Sequence, residues 1–342
     1  MNIPEITNIE KLAEFLRIDS LTLEEIYSKQ GNISNYGHMS LLPPLPNTWY
    51  YRIFIPKKNK KLGFRIVYVV RNQNLLDLQK KIQKLLNKIY IPPSYVHGFV
   101  KYRNSKTNAE LHLGKKYILS IDLFNYFESI KSISVTNMFI TIGFTKQISD
   151  ILTKVITLKN KLVQGFHTSP IVSNIITQSL DQELYQYCID NNYTYSRYAD
   201  DITISSNTEI PDIKKISAII KNNNFSINYK KLRLMKRGKA QYVTGLTVFD
   251  SEYPRIPKRY KKQIRLILYY LKKFGLKNYC MYKLKLNDKK LKKDKESRKQ
   301  LNILAEYCLR NLYGWICYIN SIEPIVANKY INEYKKINKR MR

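Results

Sequence analysis

The stretch that decides the fold is YSRYADDITIS, residues 195–205, in which two adjacent carboxylates, Asp200 and Asp201, separate two short apolar runs. The β-branched and aromatic residues on either side predict a hairpin of two strands with the acids at its turn. Asp is common in turns for structural reasons, because its side chain hydrogen-bonds to nearby backbone. Taken alone, the pair fits turn chemistry better than a catalytic site.

The chain around these acids is strongly basic. It has 342 residues, with 59 Lys and Arg against 26 Asp and Glu, and a formal net charge of +33. This excess favours a polyanionic partner, because Lys and Arg neutralise phosphates and release counterions; an anionic membrane surface is the alternative. There is no run of about 18 apolar residues and no signal peptide, so we expect a cytoplasmic protein that does not enter a membrane. The scattered cysteines predict reduced, mostly buried thiols rather than a zinc site.

A third carboxylate ends an earlier strand. The apolar run YILSID, residues 117–122, has the pattern of a buried strand and places Asp122 at its end. Carboxylates that a fold gathers repel one another, so such a group usually binds a cation. Mg²⁺ prefers oxygen ligands, and two Mg²⁺ ions can hold the attacking and leaving oxygens of a phosphoryl displacement. An acidic cluster in a basic chain therefore predicts a nucleotidyl-transfer site with two Mg²⁺ ions.

Hydrophobic periodicity along the rest of the chain predicts an α+β fold. Two short helices are expected within 8–30, the second opened by a capping box of Thr22 and Glu25, before a Gly- and Pro-rich linker. From Lys258 onward the pattern is helical to the end, and residues 251–342 hold 25 Lys and Arg against 7 Asp and Glu. The other predicted elements are strands at YYRIFIP, FRIVYVV, 227–234 and 241–249, and helices at 75–90, 131–160, 168–190 and 212–223.

At this point the sequence resembles the reverse transcriptases. Tyr198-Ala199-Asp200-Asp201 is similar to their YxDD motif, and Asp122 with Phe127 resembles their first catalytic motif. Between them, VQGFHTSPIVSN at 163–174 resembles the QGxxxSPxxxN motif. One departure is Phe166-His167, where the family usually has Ala-Pro after the Gly, and we expect it to alter the contact with the template.

Two further motifs resemble the bacterial retron branch of that family. NAELH, with Asn108, Ala109 and His112, is similar to its NAxxH motif, and Val243-Thr244-Gly245 is similar to its VTG motif. For His112 the resemblance implies either RNA contact or a local scaffold. Thr244 and Gly245 fit a close backbone approach to RNA, and an ordinary turn at a strand end has the same sequence pattern. The residues assigned to RNA by resemblance are thus Asn108, His112, Val243, Thr244 and Gly245.

The resemblance implies a right-hand polymerase fold, with fingers, a palm built on an antiparallel sheet and a helical thumb. Asp122, Asp200 and Asp201 would ligate the two Mg²⁺ ions, with the backbone carbonyl of Leu123 completing the set. The implied regions are an N-terminal helical extension and linker at 1–48, fingers at 49–115 and 136–165, palm at 116–135 and 166–250, and a basic thumb at 251–342.

The resemblance also assigns residues to the incoming nucleotide. Phe127 resembles the aromatic gate that rejects a ribose 2′-OH, and plain core packing is its alternative. Cationic side chains would grip the triphosphate, since Arg suits bidentate phosphate contact and Lys supplies a point charge. The residues of this group are Lys57 or Lys58, Arg65, Phe127, Gln164, and Lys230 or Lys231. In the thumb, Tyr313 and Trp315 either stack on nucleic acid or pack in the core, and core packing is favoured.

A retron enzyme is an RNA-directed DNA polymerase. The resemblance implies a structured non-coding RNA as template and primer, priming from the 2′-OH of a guanosine, dNTPs as substrates and a branched RNA–DNA product, msDNA, that stays bound. It also implies a separate effector protein and a role in anti-phage defence. Two alternatives remain open. One is another bacterial reverse transcriptase, defence-associated or group II intron-like. The other is a non-catalytic RNA-binding scaffold, which has no need of three acids.

Overall fold

The computed structural model describes residues 3–29, 33–34, 49–57, 63–287 and 294–341. These divide into two compact units. The first comprises 1–104 and 117–234, and the second comprises 105–116 and 235–342. Helices and antiparallel strands occur together in the chain, which confirms the α+β prediction. Lys58 lies outside the described residues, and so does the predicted linker apart from a two-residue strand β1, Ile33–Ser34.

The core of the first unit is an antiparallel sheet in which β6, Asp201–Ser206, lies between β5, Thr194–Tyr198, and β4, Tyr117–Asp122. All three strands are largely buried, as expected for a sheet that is covered on both faces, although β5 and β6 carry polar as well as apolar side chains. Ile118, Leu119 and Ile121 of β4 are fully buried, and so are Ile202 and Ile204 of β6. The predicted hairpin at residues 195–205 is therefore confirmed.

A second hairpin of the same unit is much more exposed. Strand β2, Tyr50–Pro56, pairs with β3, Phe64–Val70, along the whole length of both strands. Their side chains are mostly half-buried or exposed. Helix α3, Gln73–Ile89, follows directly, and Asn72 caps it by accepting a hydrogen bond from the backbone N–H of Leu75.

Helices complete the first unit around the sheet. Strongly amphipathic sequences such as that of α3 bury one face, here through Leu75, Leu78 and Ile82. The periodicity predicted most of these elements, although it did not resolve the breaks within 131–160 and 168–190. The helices are α1 Ile9–Leu16, α2 Ser20–Lys29, α5 Tyr126–Ser129, α6 Ser132–Ile142, α7 Lys146–Ile156, α8 Ser169–Ile176, α9 Gln178–Asp190 and α10 Ile213–Asn222.

The start of α2 corrects one prediction. The helix begins at Ser20, not at a capping box of Thr22 and Glu25. The carboxylate of Asp19 accepts hydrogen bonds from the backbone N–H of Thr22, at 2.8 Å, and from its hydroxyl, at 3.1 Å. Asp19 caps the helix because a carboxylate at this position satisfies a free N–H and also interacts favourably with the helix dipole.

The second unit is mainly helical. It contains a kink in α11, Lys258–Leu284, where Gly275 has a non-helical backbone with φ +76°. The expected long strand at 241–249 is instead a short hairpin of β8, Tyr242–Val243, and β9, Leu246–Thr247. No helix in the described ranges is both long enough and apolar enough to cross a membrane. The remaining elements are α4 Ser105–Glu110, α12 Lys295–Ile322 and α13 Pro324–Met341, while β7, Arg233–Lys236, contains the division between the units.

Three side chains of the second unit refine the sequence predictions. Tyr313 is 52% exposed, so the prediction that it packs in the core is wrong. Trp315 is half-buried and stacks on Tyr260 with ring centroids 5.0 Å apart. Cys280 is buried against Leu301 in a small apolar cluster. All four cysteines are free; Cys188 and Cys280 are buried, Cys308 is half-buried and Cys317 is exposed.

Candidate active site

The β5–β6 hairpin carries the two adjacent acids at its turn. Tyr198 pairs with Asp201, so Ala199 and Asp200 form the turn between the strands. Ala199 has φ +57°, a left-handed conformation that is uncommon for a residue other than Gly. This tight turn places Asp200 outside the ladder and Asp201 at the first position of β6.

The third acid lies on the neighbouring strand. The Cα atoms of Asp122 and Asp201 are direct cross-strand partners at the end of the β4–β6 ladder. The next residue, Leu123, donates its backbone N–H to the carbonyl oxygen of Asp200 at 2.9 Å. The three acidic residues predicted from separate motifs therefore lie together at one end of the neighbouring strands β4 and β6.

Their electrostatics show that they act on one another. Burial raises the pKa of Asp201 to about 7, with further contributions from Asp200 and Asp122. Burial, and then the charge of Asp122, also raises the pKa of Asp200. The nearby cations of Lys231 and Arg65 act in the opposite direction on both groups. The site therefore gathers acidic groups that are at least partly buried, and a cation would neutralise their negative charge.

Two residues after the hairpin hold the carboxylate of Asp122. The Nζ of Lys231 donates to its Oδ2 at 2.5 Å, and the Nδ2 of Asn228 donates to its Oδ1 at 2.9 Å. The backbone N–H of Asn228 also donates to the Asp122 carbonyl, at 2.8 Å. Both lysines considered for the nucleotide are exposed, but it is Lys231 whose ammonium reaches the Asp122 carboxylate. Lys230, the residue first selected, is the weaker candidate.

The donor set fits divalent metal. Three carboxylates provide the hard oxygen ligands that Mg²⁺ prefers, and burial, followed by the repulsion between them, raises the pKa values of Asp200 and Asp201. As the side chains stand, no three His, Cys, Asp or Glu residues in the described part of the chain are close enough to share one ion. Asp122 is instead bound by Lys231, so loading of the site requires this carboxylate to exchange its ammonium partner.

The exposed β2–β3 hairpin carries the cations predicted for the triphosphate. Arg65 is exposed on β3, opposite Ile55, and its charge is felt by both acids of the turn. Lys57 directly follows β2 and donates its backbone N–H to the Gly63 carbonyl at 3.0 Å. Arg65 is therefore close enough to Asp200 and Asp201 for its positive charge to oppose the rise in their pKa values.

Gln164 is joined to the same hairpin. Its carbonyl accepts a hydrogen bond from the Tyr68 backbone N–H at 2.8 Å. The next residue, Gly165, has φ +108°, and a Cβ there would lie 2.1 Å from the Tyr68 carbonyl oxygen. Only Gly permits this close approach, which explains the Gln-Gly pair of the motif in physical terms. The departure at Phe166 fills the core: its ring is buried and stacks on Tyr50 at 5.3 Å.

Phe127 lies on α5, shortly after Asp122 in the sequence. It is half-buried, and its ring lies 5.4 Å from that of Tyr126 and 6.0 Å from that of Phe99. It is therefore neither a fully buried core residue nor a free surface residue. His167, the other residue of the family departure, is exposed.

The two retron-like motifs lie together in the second unit. Asn108, Ala109 and His112 are fully buried in and after α4. Thr244, with φ +46°, forms the β8–β9 turn with Gly245, at φ +83°, and its hydroxyl donates to the Ser105 carbonyl at 2.9 Å. The buried side chains of Asn108 and His112 favour the scaffold alternative, and Val243 is likewise buried. For the turn residues Thr244 and Gly245, contact with RNA stays a prediction.

Sequence reasoning missed the polar residues behind the turn. Arg197 is fully buried and forms an ion pair with Asp181 of α9, which is also fully buried. Two further residues were missed: Asn228, which donates to the Asp122 carboxylate, and Gly98, whose backbone packs closely on Ala199. A signal for Arg197 was present, because it shares the inward face of β5 with the buried Tyr195, and a charge at such a position requires a partner.

Comparison with known proteins identifies the family of the chain. Residues 55–297 match the family described as "Reverse transcriptase (RNA-dependent DNA polymerase)". The chain belongs to the reverse transcriptase family. The α+β right-hand polymerase fold predicted from the motifs is confirmed by this membership, and so is the prediction of an RNA-directed DNA polymerase.

The relatives place this reverse transcriptase in the retron branch. It is 32% identical over 226 residues to the Retron Ec86 reverse transcriptase of Escherichia coli, covering 65% of this chain and 70% of that one. It is 31% identical over 247 residues to the Retron Ec73 enzyme of the same species, covering 65% and 78%. With the Retron Mx65 reverse transcriptase of Myxococcus xanthus it shares 29% over 252 residues, covering 66% of this chain and 58% of that relative's length. A solved Candida albicans telomerase matches with a TM-score of 0.46 and 12% identity, over 97% of this chain and 59% of that one.

Proposed function

We propose that this reverse transcriptase copies a structured non-coding RNA into DNA at the site formed by Asp122, Asp200 and Asp201. The observation that carries the proposal is the pairing of Asp122 with Asp201 at the end of the β4–β6 ladder, with Asp200 in the adjoining turn. Two Mg²⁺ ions, when bound, would supply positive charge that stabilises the attacking primer hydroxyl, the α-phosphate and the leaving pyrophosphate of a dNTP. These three carboxylates, with the Leu123 carbonyl, would hold them.

The other residues bind and orient the substrates. Arg65 offers a planar guanidinium on an exposed strand, which suits bidentate contact with the triphosphate, and Lys57 adds a point charge on the same hairpin. Gln164 is fixed by its backbone bond to Tyr68, so its side chain is available on a rigid support. Phe127 would exclude a ribose 2′-OH by its bulk. Residues 251–342 would form a basic thumb that follows the nucleic acid backbone.

The retron relatives support a more specific reaction. The primer would be the 2′-OH of a guanosine within the RNA, and the product would be a branched RNA–DNA molecule, msDNA, that remains bound. A separate effector protein and a function in anti-phage defence in the cytoplasm belong to the same proposal. The similarity to three retron reverse transcriptases is its support.

The test is to extract and sequence the nucleic acid that co-purifies with the full chain expressed from its own locus. We expect a DNA covalently joined to RNA, which survives denaturing strand separation and is released by an enzyme that cleaves 2′–5′ phosphodiester branches. Linear DNA that needs no debranching would contradict retron priming and support another bacterial reverse transcriptase. RNA without DNA, together with no Mg²⁺-dependent dNTP incorporation on that RNA, would support the scaffold alternative.

A further inference from the structure

A buried guanidinium lies directly behind the acidic turn. The side chain of Arg197 on β5 is fully buried, and its Nε and Nη2 donate to the Oδ1 and Oδ2 atoms of Asp181, both at 2.7 Å. Asp181 also accepts from the hydroxyl of Tyr195 at 2.6 Å. This is a two-point pair in the centre of the first unit, with the charge of each partner fully compensated.

The remaining nitrogen of Arg197 faces the turn. Its Nη1 lies 3.0 Å from the carbonyl oxygen of Ala199, 3.1 Å from the Oδ1 of Asn174 and 3.1 Å from the hydroxyl of Tyr126. Ala199 is the left-handed residue immediately before Asp200. A single guanidinium, already fixed by Asp181, thus holds the backbone whose conformation decides where the next two carboxylates lie.

A second element packs on the same turn. A Cβ on Gly98 would lie 2.1 Å from the backbone nitrogen of Ala199, so this loop packs directly on the turn. The Gly98 carbonyl accepts from the Nδ2 of Asn174 at 2.9 Å, and the Asn174 Oδ1 is an acceptor for Arg197. Asn174 therefore ties the Gly98 loop, the guanidinium and the turn into one network.

The network also reaches the helix of the predicted sugar gate. Tyr126, whose hydroxyl contacts Arg197 and, at 2.9 Å, the hydroxyl of Thr177, directly precedes Phe127 on α5. One buried cation is thus connected to the metal-binding end of the site through Ala199 and to its sugar-binding end through Tyr126.

We propose that Arg197 and Asp181 form a positioning pair that holds the Ala199 turn so that Asp200 and Asp201 lie beside Asp122 in the geometry that binds divalent metal. The proposal rests on the proposed polymerase function of the same acids. A role in stability alone does not account for it, because a buried ion pair is on average no more stabilising than apolar side chains of the same volume. What apolar side chains lack is a donor for the Ala199 carbonyl.

The first experiment uses Arg197→Lys, which keeps the buried charge but cannot bind Asp181 at two points and Ala199 at the same time. Binding of Mn²⁺, as a probe for Mg²⁺, is measured by loss of the free Mn²⁺ signal in electron paramagnetic resonance. kcat, the KM for dNTP and RNA affinity are measured in parallel. We expect about tenfold weaker Mn²⁺ binding and about tenfold lower kcat, which is partly recovered at high Mg²⁺, with RNA affinity unchanged.

The control is Ile148→Ala in α7, a fully buried residue on a helix that packs against α6. This substitution lowers stability without touching the network, and at temperatures where it is folded it should keep wild-type Mn²⁺ affinity. A folded Arg197→Lys protein with wild-type Mn²⁺ affinity and kcat would overturn the proposal.

A triple substitution separates positioning from stability. Arg197→Met, Asp181→Leu and Tyr195→Phe together remove the charges and the hydroxyl that faces them, so the thermal midpoint should match or exceed that of Arg197→Met alone. If the pair positions the turn, Mn²⁺ affinity and kcat stay low although stability is recovered. If both recover with stability, the pair is only structural and the proposal is wrong.

Tyr126→Phe provides a milder variant that keeps the ring in place. We expect about two- to threefold weaker Mn²⁺ binding and reduced preference for dNTP over rNTP. Wild-type values of both would contradict the connection through α5. A wild-type enzyme that binds Mn²⁺ but incorporates no dNTP on any RNA would count against the polymerase function, whereas active variants with normal Mn²⁺ affinity would count against the positioning pair alone.

Discussion

The two antiparallel hairpins of the first unit differ in nearly every respect apart from their topology. The β2–β3 hairpin is basic and exposed, with Ile53, Ile55 and Phe64 each more than 40% accessible to solvent. The β5–β6 hairpin is acidic at its tip, and almost every side chain along it is buried. The first presents charges on flexible side chains in water, while the second fixes two carboxylates by means of a buried polar network.

The difference determines how each hairpin tolerates change. The electrostatic interaction of an exposed charge acts over a distance and does not need a fixed geometry. Its contribution to substrate binding therefore changes little when the side chain moves slightly. A metal-binding carboxylate requires a set position, and displacements of about 1 Å can cost about a hundredfold in rate. Substitutions at the buried turn should therefore have large effects, and substitutions on the exposed hairpin should have small ones.

Among the substitutions that test the contrast between the hairpins, the largest effect is expected for Gly98→Ala. The added Cβ would lie 2.1 Å from the Ala199 nitrogen and 2.8 Å from the Tyr198 carbonyl carbon, so the backbone of the turn must move. We expect kcat for dNTP incorporation to fall by about a hundredfold or more. Gly314→Ala in α12 is the matched control, since nothing lies within 4 Å of its Cβ. Equal activity of the two variants would refute the close packing of Gly98 on the turn.

A similar clash is expected at the junction of the exposed hairpin. Gly165→Ala places a Cβ 2.1 Å from the Tyr68 carbonyl, at a φ of +108° that disfavours Ala. Because this strains the support of Gln164, we expect a lower thermal midpoint and an increase in the KM for dNTP that exceeds the loss of kcat. Denaturation curves and steady-state kinetics measure the two effects. A variant with an unchanged thermal midpoint would show that the segment around Gly165 can move away from β3 without loss of stability.

A smaller effect separates the two adjacent lysines. Lys231→Met removes the ammonium that contacts the Asp122 carboxylate and that would be free to contact the triphosphate once metal replaces it there, so single-turnover dNTP incorporation at low dNTP should fall by about tenfold. Lys230→Met changes an exposed residue of the same type and should stay within about twofold. Single-turnover incorporation rates decide between them, and a larger loss at Lys230 would reverse the assignment.

The smallest effect is expected on the exposed hairpin itself. Arg65→Gln removes a solvent-exposed cation, and such contacts contribute about 1 kcal/mol or less, so the KM for dNTP should rise by up to about fivefold. kcat should change less than KM, because the charge acts mainly on binding. A hundredfold loss of kcat would show that this exposed arginine is as strictly positioned as the buried turn, and the contrast between the hairpins would fail.

The sequence was informative where local pattern carries the signal. Period-two apolar runs predicted β2 to β6, and the order of the acidic motifs predicted the meeting of Asp122 with Asp201, although the register that makes them neighbours depends on long-range pairing. The pairing of Arg197 with Asp181 was not predictable, because it joins a strand to a helix through tertiary packing alone. The start of α2 was predicted at Thr22 instead of at its actual N-cap, Asp19. Both residue types cap helices and they lie three residues apart, so only the backbone conformation decides between them.

The most direct test of the polymerase site is Mg²⁺-dependent DNA synthesis by Asp200→Asn/Asp201→Asn compared with wild type, on the co-purified RNA. The asparagines keep the shape of the turn but remove two of the three carboxylates. The account predicts RNA affinity close to that of the wild type and a loss of dNTP incorporation of about a thousandfold or more, because metal-ion charge stabilisation contributes several kcal/mol. Primer extension by the purified double variant at a rate near that of wild type would contradict it.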